Sequence, residues 1–174
     1  MCYHQNHGTK TTCSDNAAAR RLMCDAHMSV ATKMDESNKQ TALAFLEAMD
    51  KADAQSAAQY LTSDAFTISR GFGKVSGRRD RAAMLATMAA FKDLVPTGFR
   101  PTFNSIVAEG DKVVIEFEGN AVLCNGAPYC NQYCFVFTFE SGLIKQLNEY
   151  FCTVLADSAI LPLLVQKGGE VAWT

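Results

Sequence analysis

The chain has 174 residues, of which 48% are hydrophobic, and a formal net charge of −2. This size fits one domain with a sizeable core, and the near-neutral charge provides no basic surface of the kind that nucleic-acid binding needs. No apolar run approaches the roughly 18 residues of a membrane span, and the N-terminus lacks the apolar stretch of a secretory signal. The seven cysteines have no repeated spacing, which favours reduced thiols in a cytoplasmic protein over a disulfide framework.

Residues 1–36 are predicted to be an N-terminal extension, followed by one folded domain at 37–174. The extension is polar and contains all three histidines of the chain. Its "HQNHGTKTTCSDN" stretch is typical of coil, whereas "NAAARRLMCDAHM" favours a short helix. The candidate metal ligands in this segment are Cys2, His4, His7, Cys24 and His27. Their spacing matches no familiar zinc site, so we expect no metal, with a zinc site as the alternative.

Helices are predicted in the first half of the domain. The segment "SNKQTALAFLEAMDKAD" places apolar side chains at helical spacing, and Ser37 is its candidate N-cap. The elements expected next are a short helix from Asp53, a strand at 64–70, a glycine-rich loop at 71–77 and a helix at 78–94 that ends before Pro96.

The rest of the chain alternates between apolar and polar residues, which predicts strands. The expected strands are 99–109, 112–124, 127–140 and 143–155. Asn125-Gly126, between the second and third strands, is a strong hairpin signal, while Gly110-Asp111 and Ser141-Gly142 are weaker ones. Helices followed by a meander of strands predict an α+β fold, with the helices packed on one face of a curved, mainly antiparallel sheet.

Two-residue hairpin loops would determine which side chains share a face of this sheet. Such loops pair Phe139 with Ile144 and Glu118 with Tyr133. One face would then combine aromatic rings with polar groups, as small-molecule pockets do; the alternative is that this face is merely solvated. The residues expected to bind substrate on it are Asn120, Asn131, Phe135, Asn148 and Cys152. A one-residue slip of the register would exchange the two faces.

The opposite face would carry Ile115, Phe117, Val136 and Phe151. These side chains are apolar enough to form a dimer interface. We therefore expect a homodimer through this face.

The pocket residues suggest acid–base chemistry. Glu116 and Glu118 lie two residues apart on one strand, and burial beside aromatic rings would raise a carboxyl pKa towards neutrality, where proton transfer is efficient. Tyr133 and Tyr150 are the candidate hydrogen-bond donors to a developing oxyanion. The alternative is that both glutamates are solvated edge residues. Cys152 is either a nucleophile or, as the absence of a cationic neighbour in sequence favours, a small packing residue.

Several segments carry a resemblance to a known family. "AEGDKV", "NG..Y.N.Y.FVF" and "EYF.T" resemble the SnoaL-like polyketide cyclases of the nuclear-transport-factor-2-like superfamily, which also contains the ketosteroid isomerases. The resemblance covers about residues 37–157. It implies a cone-shaped α+β barrel, a deep cavity between sheet and helices with Tyr60 and Arg70 at its mouth, and often a dimer through the convex face. Because the superfamily also contains non-catalytic modules, the fold does not settle the function.

This sequence departs from the family pattern at the positions that carry chemistry. Cys152 stands where the cyclases place an acid–base aspartate. Ser69 stands near the general-base aspartate of the ketosteroid isomerases, and Phe45 stands at their donor tyrosine. The cavity histidines of the dehydratases have no counterpart, since no histidine follows residue 36. The resemblance therefore implies a site of carboxylate, phenol, amide and thiol groups rather than one of the familiar ones.

Together these features predict a cofactor-independent lyase or isomerase. Its expected substrate is a small hydrophobic molecule, aromatic or polycyclic, and its expected partners include neither nucleic acid nor a membrane. The alternative is a non-enzymatic ligand-binding or dimerisation module of the same fold.

Overall fold

The computed structural model describes residues 15–166, without the side chains of 15–28, 30, 31 and 166. The chain groups into two compact units, Met1–Lys33 and Met34–Thr174. The candidate metal ligands of the N-terminal segment lie outside the described residues or side chains, and the expected boundary between residues 36 and 37 stays a prediction. Among the described residues, no group of three or more histidine, cysteine or acidic side chains is placed to hold a metal ion, and no helix could span a membrane.

The described residues form five helices. Two precede the first strand, one lies between the second and third strands, and two follow the last strand. The helices are α1 (Asp15–Asp50), α2 (Ala54–Ala58), α3 (Arg81–Leu94), α4 (Thr153–Ala159) and α5 (Leu161–Gln166). Asp53 caps α2 by accepting a hydrogen bond from the Ser56 backbone N–H at 3.0 Å. Asp80 caps α3 in the same way through Ala83, at 2.8 Å.

The prediction that a helix begins at Ser37 is wrong, because α1 passes through this residue. The Ser37 carbonyl accepts a hydrogen bond from Thr41 Oγ1 at 3.1 Å within the helix. The preceding "ATKMDE" contains good helix formers and no glycine or proline, so nothing in this stretch stops a helix.

Six strands form one mixed sheet. The strands are β1 (Leu61–Arg70), β2 (Gly77–Asp80), β3 (Pro101–Glu109), β4 (Lys112–Val122), β5 (Pro128–Glu140) and β6 (Leu143–Phe151). Their order is β2-β1-β6-β5-β4-β3; β1 and β6 are parallel and all other neighbours are antiparallel. The sheet is open, since β2 and β3 are its edges. The predicted α+β class with helices on one face is confirmed.

The two faces of the sheet differ sharply in burial. The inner face packs against α1 and α3, where Phe45, Leu46, Met84 and Met88 share one core with Ile115 and Phe137. The side chains on the inner face are those of Val113, Ile115, Phe117, Tyr133, Phe135, Phe137, Leu147, Glu149 and Phe151. The outer face carries Val114, Glu116, Glu118, Gln132, Cys134, Val136, Asn148 and Tyr150, all exposed or half-buried.

The predicted hairpin registers are wrong by one residue over most of the sheet. Val122 pairs with Pro128, so the loop around Asn125-Gly126 has five residues rather than two. Asn125 Oδ1 accepts from the Ala127 N–H at 3.0 Å, which stabilises this wider turn. Phe139 pairs with Ile144 as expected, but a bulge at Thr138 and Phe139 then shifts the remaining pairs of β5 and β6.

This slip moves the predicted pocket residues of β4 and β6 to the outer face, whereas those of β5, among them Tyr133 and Phe135, stay on the cavity face as predicted. Ile115 and Phe117 are buried within the chain itself, and Phe151 lines an internal cavity. They cannot form a dimer interface, so the expected dimerisation face is wrong. Homodimerisation itself stays a prediction.

Candidate functional site

A cavity of about 110 Å³ lies between the inner face and the helices. An apolar cavity of roughly 150 Å³ holds benzene, so the volume of this one sets an upper limit of about one ring for a ligand that fits without movement of the walls. Its walls are mostly apolar, and they include Phe45, Met84, Met88, Phe91, Phe117, Phe135, Leu147, Phe151 and Ile160. The polar side chains at its walls are Arg79, Thr87, Tyr129, Tyr133 and Glu149.

Three neighbouring strands place a buried ion pair on this wall. Arg79 on β2 pairs with Glu149 Oε2 on β6, and Ser69 on the intervening β1 lies opposite Glu149 in the register. The Ser69 hydroxyl donates to Glu149 Oε2 at 2.5 Å and accepts from Arg79 Nη2 at 2.5 Å. The side chains of Arg79 and Glu149 are only 9% and 13% exposed. Such burial is tolerable because each charge compensates the other.

The two oxygens of the Glu149 carboxylate have different surroundings. Oε2 is engaged by both Arg79 and Ser69. Within the described part of the chain, no hydrogen bond reaches Oε1. Glu149 therefore offers one held oxygen and one available oxygen at the wall of an apolar cavity, with no net charge on the pair.

A second polar group lies on β5. Tyr129, Asn131 and Tyr133 alternate along the strand, so they share its inner side. Asn131 Nδ2 donates to Tyr129 Oη at 3.0 Å, and the phenols of Tyr129 and Tyr133 both line the cavity. Tyr133 also stacks on Phe117, with ring centroids 4.9 Å apart.

The phenols remain protonated at neutral pH. Burial raises the pKa of Tyr133 well above its ordinary value of 10.0, and the nearby Tyr129 and Glu149 charges add to the shift. Burial also raises the pKa of Tyr129, against the opposing effect of its hydrogen bonds. Both side chains therefore serve as hydrogen-bond donors rather than as bases.

The structure brings three of the sequence-predicted residues to this region. Tyr133 and Phe135 line the cavity. Asn131 is buried beside it, where its amide also contacts the Cys152 backbone, donating to the carbonyl at 3.2 Å and accepting from the N–H at 3.2 Å.

The other predicted residues lie elsewhere. Those on the outer side of the sheet are Arg70, Glu116, Glu118, Asn120, Asn148 and Tyr150. There Glu118 Oε1 accepts from Gln132 Nε2 at 3.4 Å, and Asn148 Oδ1 accepts from Arg70 Nη2 at 3.1 Å. Tyr60 packs against the edge of the core. Cys152 is exposed and stands at the start of α4. The expected convergence of Glu118, Tyr150 and Cys152 on Tyr133 is thus not found.

Sequence reasoning missed Ser69, Arg79 and Tyr129 as site residues, and it placed Glu149 in the cavity only in the alternative register, slipped by one residue. One signal for Glu149 is present in the sequence, because it is the charged member of the otherwise apolar alternation Leu147, Glu149, Phe151. A buried acid of this kind needs a cationic partner. The partner, Arg79, lies 70 residues earlier in the chain in a strand too short to predict.

The comparisons with known proteins agree with this fold. A family model described as a SnoaL-like domain matches residues 42–147. No curated protein sequence matches the chain. Similar solved structures include an NTF2-like protein from Burkholderia xenovorans LB400, which is 18% identical, with 72% of this chain and 96% of that chain covered and a TM-score of 0.59.

Two further structural neighbours have names that refer to chemistry. A protein provisionally named a SnoaL-like polyketide cyclase, from Jannaschia sp. CCS1, is 15% identical, covers 73% of this chain and 93% of its own, and has a TM-score of 0.62. An LEH-like epoxide hydrolase from M. tuberculosis is 21% identical, covers 77% of this chain and 96% of its own, and has a TM-score of 0.60. At these identities the likeness shows the fold alone.

Proposed function

Because this chain belongs to the SnoaL-like domain family, we propose that it is a cofactor-independent enzyme that performs acid–base chemistry on a small hydrophobic molecule. The observation that carries the proposal is the Glu149 carboxylate, which Arg79 and Ser69 hold at the wall of an apolar cavity. A positioned carboxylate in such surroundings is a suitable proton acceptor and donor for a lyase or isomerase.

Glu149 is the acid–base residue in this proposal, and Arg79 holds it in place. Arg79 stays charged in proteins and has no acceptor atom, so it cannot exchange the proton itself. Its contact with Oε2 orients the carboxylate and leaves Oε1 to take a proton from the substrate. The same oxygen then returns the proton to another atom of the substrate, which needs no cofactor.

The volume and charge of the cavity limit the size and charge of the expected substrate. At about 110 Å³ it suits a molecule of one ring better than a polycyclic one. The charges of Arg79 and Glu149 cancel, so a neutral molecule enters without leaving a buried charge unpaired.

A non-enzymatic ligand-binding module is the second candidate. The observation in its favour is that Arg79 and Glu149 already compensate each other, which is also how a purely structural ion pair is arranged. Exchange of a carbon-bound hydrogen with solvent distinguishes the enzyme from the binding module, because binding alone does not remove a proton from carbon.

The experiment measures deuterium exchange at the α-carbon of cyclohexanone in D₂O by NMR. The wild-type protein is expected to accelerate the exchange. Glu149→Gln, which keeps the shape but loses the base, is expected to lower the catalysed rate by about 100-fold or more, the scale of lost general acid–base catalysis.

Glu118→Gln is the matched control, since Glu118 is on the outer face and is expected to leave the rate unchanged. No acceleration by the wild type, across a panel of one-ring ketones, would favour the binding module. Loss of exchange in Glu118→Gln with full activity in Glu149→Gln would reject the assignment of the base.

A further inference from the structure

The walls of the cavity differ in how firmly they are held, and this difference bears on where a ligand enters. One wall is the hydrogen-bonded sheet, and α3 lies against it with side chains of the main core, among them Met88. Of the lining residues that lie between elements, Phe99 and Ile160 are packed in a second core cluster. The remaining one is Val75, in the loop at residues 71–76 that joins β1 to β2.

This loop has few contacts with the rest of the chain. Val75, which is 5% exposed, is the buried side chain among residues 71–76, whereas Phe72 projects fully into solvent. Asp157 on α4 accepts hydrogen bonds from the backbone N–H groups of Lys74 at 2.6 Å and Val75 at 2.9 Å. Within the described part of the chain, no other hydrogen bond joins the loop to a residue outside it and its two flanking strands. The loop is therefore the wall that costs least to move.

Two features of the loop favour its movement further. Gly71 at its start has a φ of 143°, and Gly77 directly after it has a φ of 134°. Glycine adopts such angles without the steric cost of a side chain, so the backbone can turn at both ends. The hydroxyl of Ser76 is buried without a hydrogen-bond partner among the described residues. An unsatisfied hydroxyl disfavours the closed position, because water would hydrate it in an open one.

We infer that residues 71–76 are the lid of the cavity and that Asp157 holds this lid closed. When the lid turns at its glycines, Val75 leaves the wall and a small neutral molecule passes between the lid and α4. The path leads to the ion pair with Glu149, because Arg79 follows the lid on β2. Asp157 acts through the lid and is a positioning residue. The inference depends on the cavity and not on any chemistry at Glu149.

The test places a reporter thiol at the cavity wall. Met88→Cys introduces it at a position that is 3% exposed, so methyl methanethiosulfonate must enter the cavity to label it. Mass spectrometry after digestion gives the labelling rate at this position. Asp157→Asn in this background is expected to raise the rate about tenfold, because the two amides of the lid lose a charged acceptor. Asp111→Asn, which removes an exposed carboxylate from the β3–β4 turn, is the matched control and should leave the rate unchanged.

A second variant opens the lid without changing a charge. A Cβ atom added at Gly73 would lie 2.8 Å from both Thr153 Cβ and Asp157 Oδ2, which is too close for the lid to stay against α4. Gly73→Ala is therefore expected to raise the labelling rate at least as much as Asp157→Asn does. Gly142→Ala is its control, because a Cβ atom there meets no other atom within 4 Å, and its labelling rate should match that of the background protein.

A thiol elsewhere in the core distinguishes movement of the lid from unfolding of the whole domain. Val113 is 0% exposed and belongs to the main core, so Val113→Cys reports unfolding. Its labelling rate should change less than about twofold with Asp157→Asn, since the loss of two local hydrogen bonds opens a local segment. Equal acceleration at the Val113→Cys and Met88→Cys thiols would overturn the inference. An unchanged rate at the Met88→Cys thiol in both lid variants would overturn it as well.

The labelling experiment is independent of the proposed function, because it needs neither a substrate nor the base. Labelling that depends on the lid, together with no deuterium exchange in cyclohexanone, would keep the entrance and remove the proposed reaction. Exchange that depends on Glu149, together with labelling that ignores the lid, would keep the reaction and remove the entrance.

Discussion

At the scale of single residues, Arg79 and Glu149 place two full charges in an apolar wall. Each is compensated by the other, so the loss of one partner is expected to cost more than the pair contributes. Arg79→Met is expected to lower the free energy of unfolding by about 3 kcal/mol, because Glu149 then remains buried with the Ser69 hydroxyl as its one hydrogen-bond partner among the described residues. Urea denaturation measures this change.

Two further variants test whether the loss of stability in Arg79→Met comes from the unpaired buried charge. Arg79→Met/Glu149→Leu removes both charges and should recover much of the lost stability, since apolar replacements of a buried pair are often neutral. Arg78→Met, at the exposed neighbouring position where the guanidinium lies 4.4 Å from the Phe66 ring centroid, should cost less than about 1 kcal/mol. Equal losses for Arg78→Met and Arg79→Met would contradict the account of the buried pair.

At the scale of elements, hydrophobic periodicity was sufficient to predict α3 and the strands β3 to β6 in outline. The registers were not predictable in the same way. Asn125-Gly126 indicates that a hairpin turns there, but it does not specify a five-residue loop, and the bulge at Thr138 and Phe139 has no distinctive sequence. The five-residue loop and the bulge each shift the strand pairing by one residue, which is enough to exchange the two faces of a strand.

The elements that were missed lack the usual local signals. β2 has only four residues, "GRRD", with no apolar alternation. α4 begins after Cys152, which makes no side-chain capping hydrogen bond, so the common capping residues do not mark its start. The candidate site depends on both features, because β2 supplies Arg79 and α4 follows the strand that supplies Glu149. The slips of register are a separate cause of error, because they led the sequence to assign the wrong side chains of β4 and β6 to the pocket while those of β5 were assigned correctly.

The loop between β1 and β2 is tied to α4 by one side chain. Asp157 accepts from the backbone N–H groups of Lys74 at 2.6 Å and Val75 at 2.9 Å, and Val75 lines the cavity. Asp157→Ala is expected to speed tryptic cleavage after Lys74 by about tenfold, because two hydrogen bonds to a charged group are lost. Cleavage is followed by mass spectrometry of the native protein.

Ser158→Ala is the control for this variant. Its hydroxyl donates within α4 to the Leu155 carbonyl at 2.9 Å, and among the described residues no hydrogen bond joins its side chain to the loop. Its cleavage rate should match that of the wild type. An unchanged rate in Asp157→Ala would show that the loop is held by its other contacts, among them Gly73 against Thr153.

At the scale of the whole molecule, the outer face is the surface on which we propose that two copies associate. It contains Val114, Val136 and, at the edge strand, Val107, which is 59% exposed, together with Tyr150 at 46%. Apolar side chains grouped on an open sheet face favour a covering partner. Light scattering of the wild type at micromolar concentration is expected to give the mass of a dimer, and Val136→Lys that of a monomer.

Val154→Lys is the matched control for the dimer prediction. Val154 is 74% exposed but lies on α4 rather than on the outer face. The Val154→Lys variant should remain dimeric. A wild-type mass of one chain would discard the proposal, as would dissociation by Val154→Lys with Val136→Lys unaffected.

The parallel pairing of β1 with β6 has a consequence for synthesis on the ribosome. Thr67 on β1 donates to the Leu147 carbonyl on β6 across 80 residues of chain. At about 5–20 residues per second, β1 is made roughly 4–16 s before β6 exists. During that interval the nascent chain carries a strand with one unpaired edge, and Glu149, with which Arg79 pairs in the folded chain, has not yet been made. The buried ion pair can therefore form only after β6 has been made, and we expect nascent chains to depend on a holding chaperone until then.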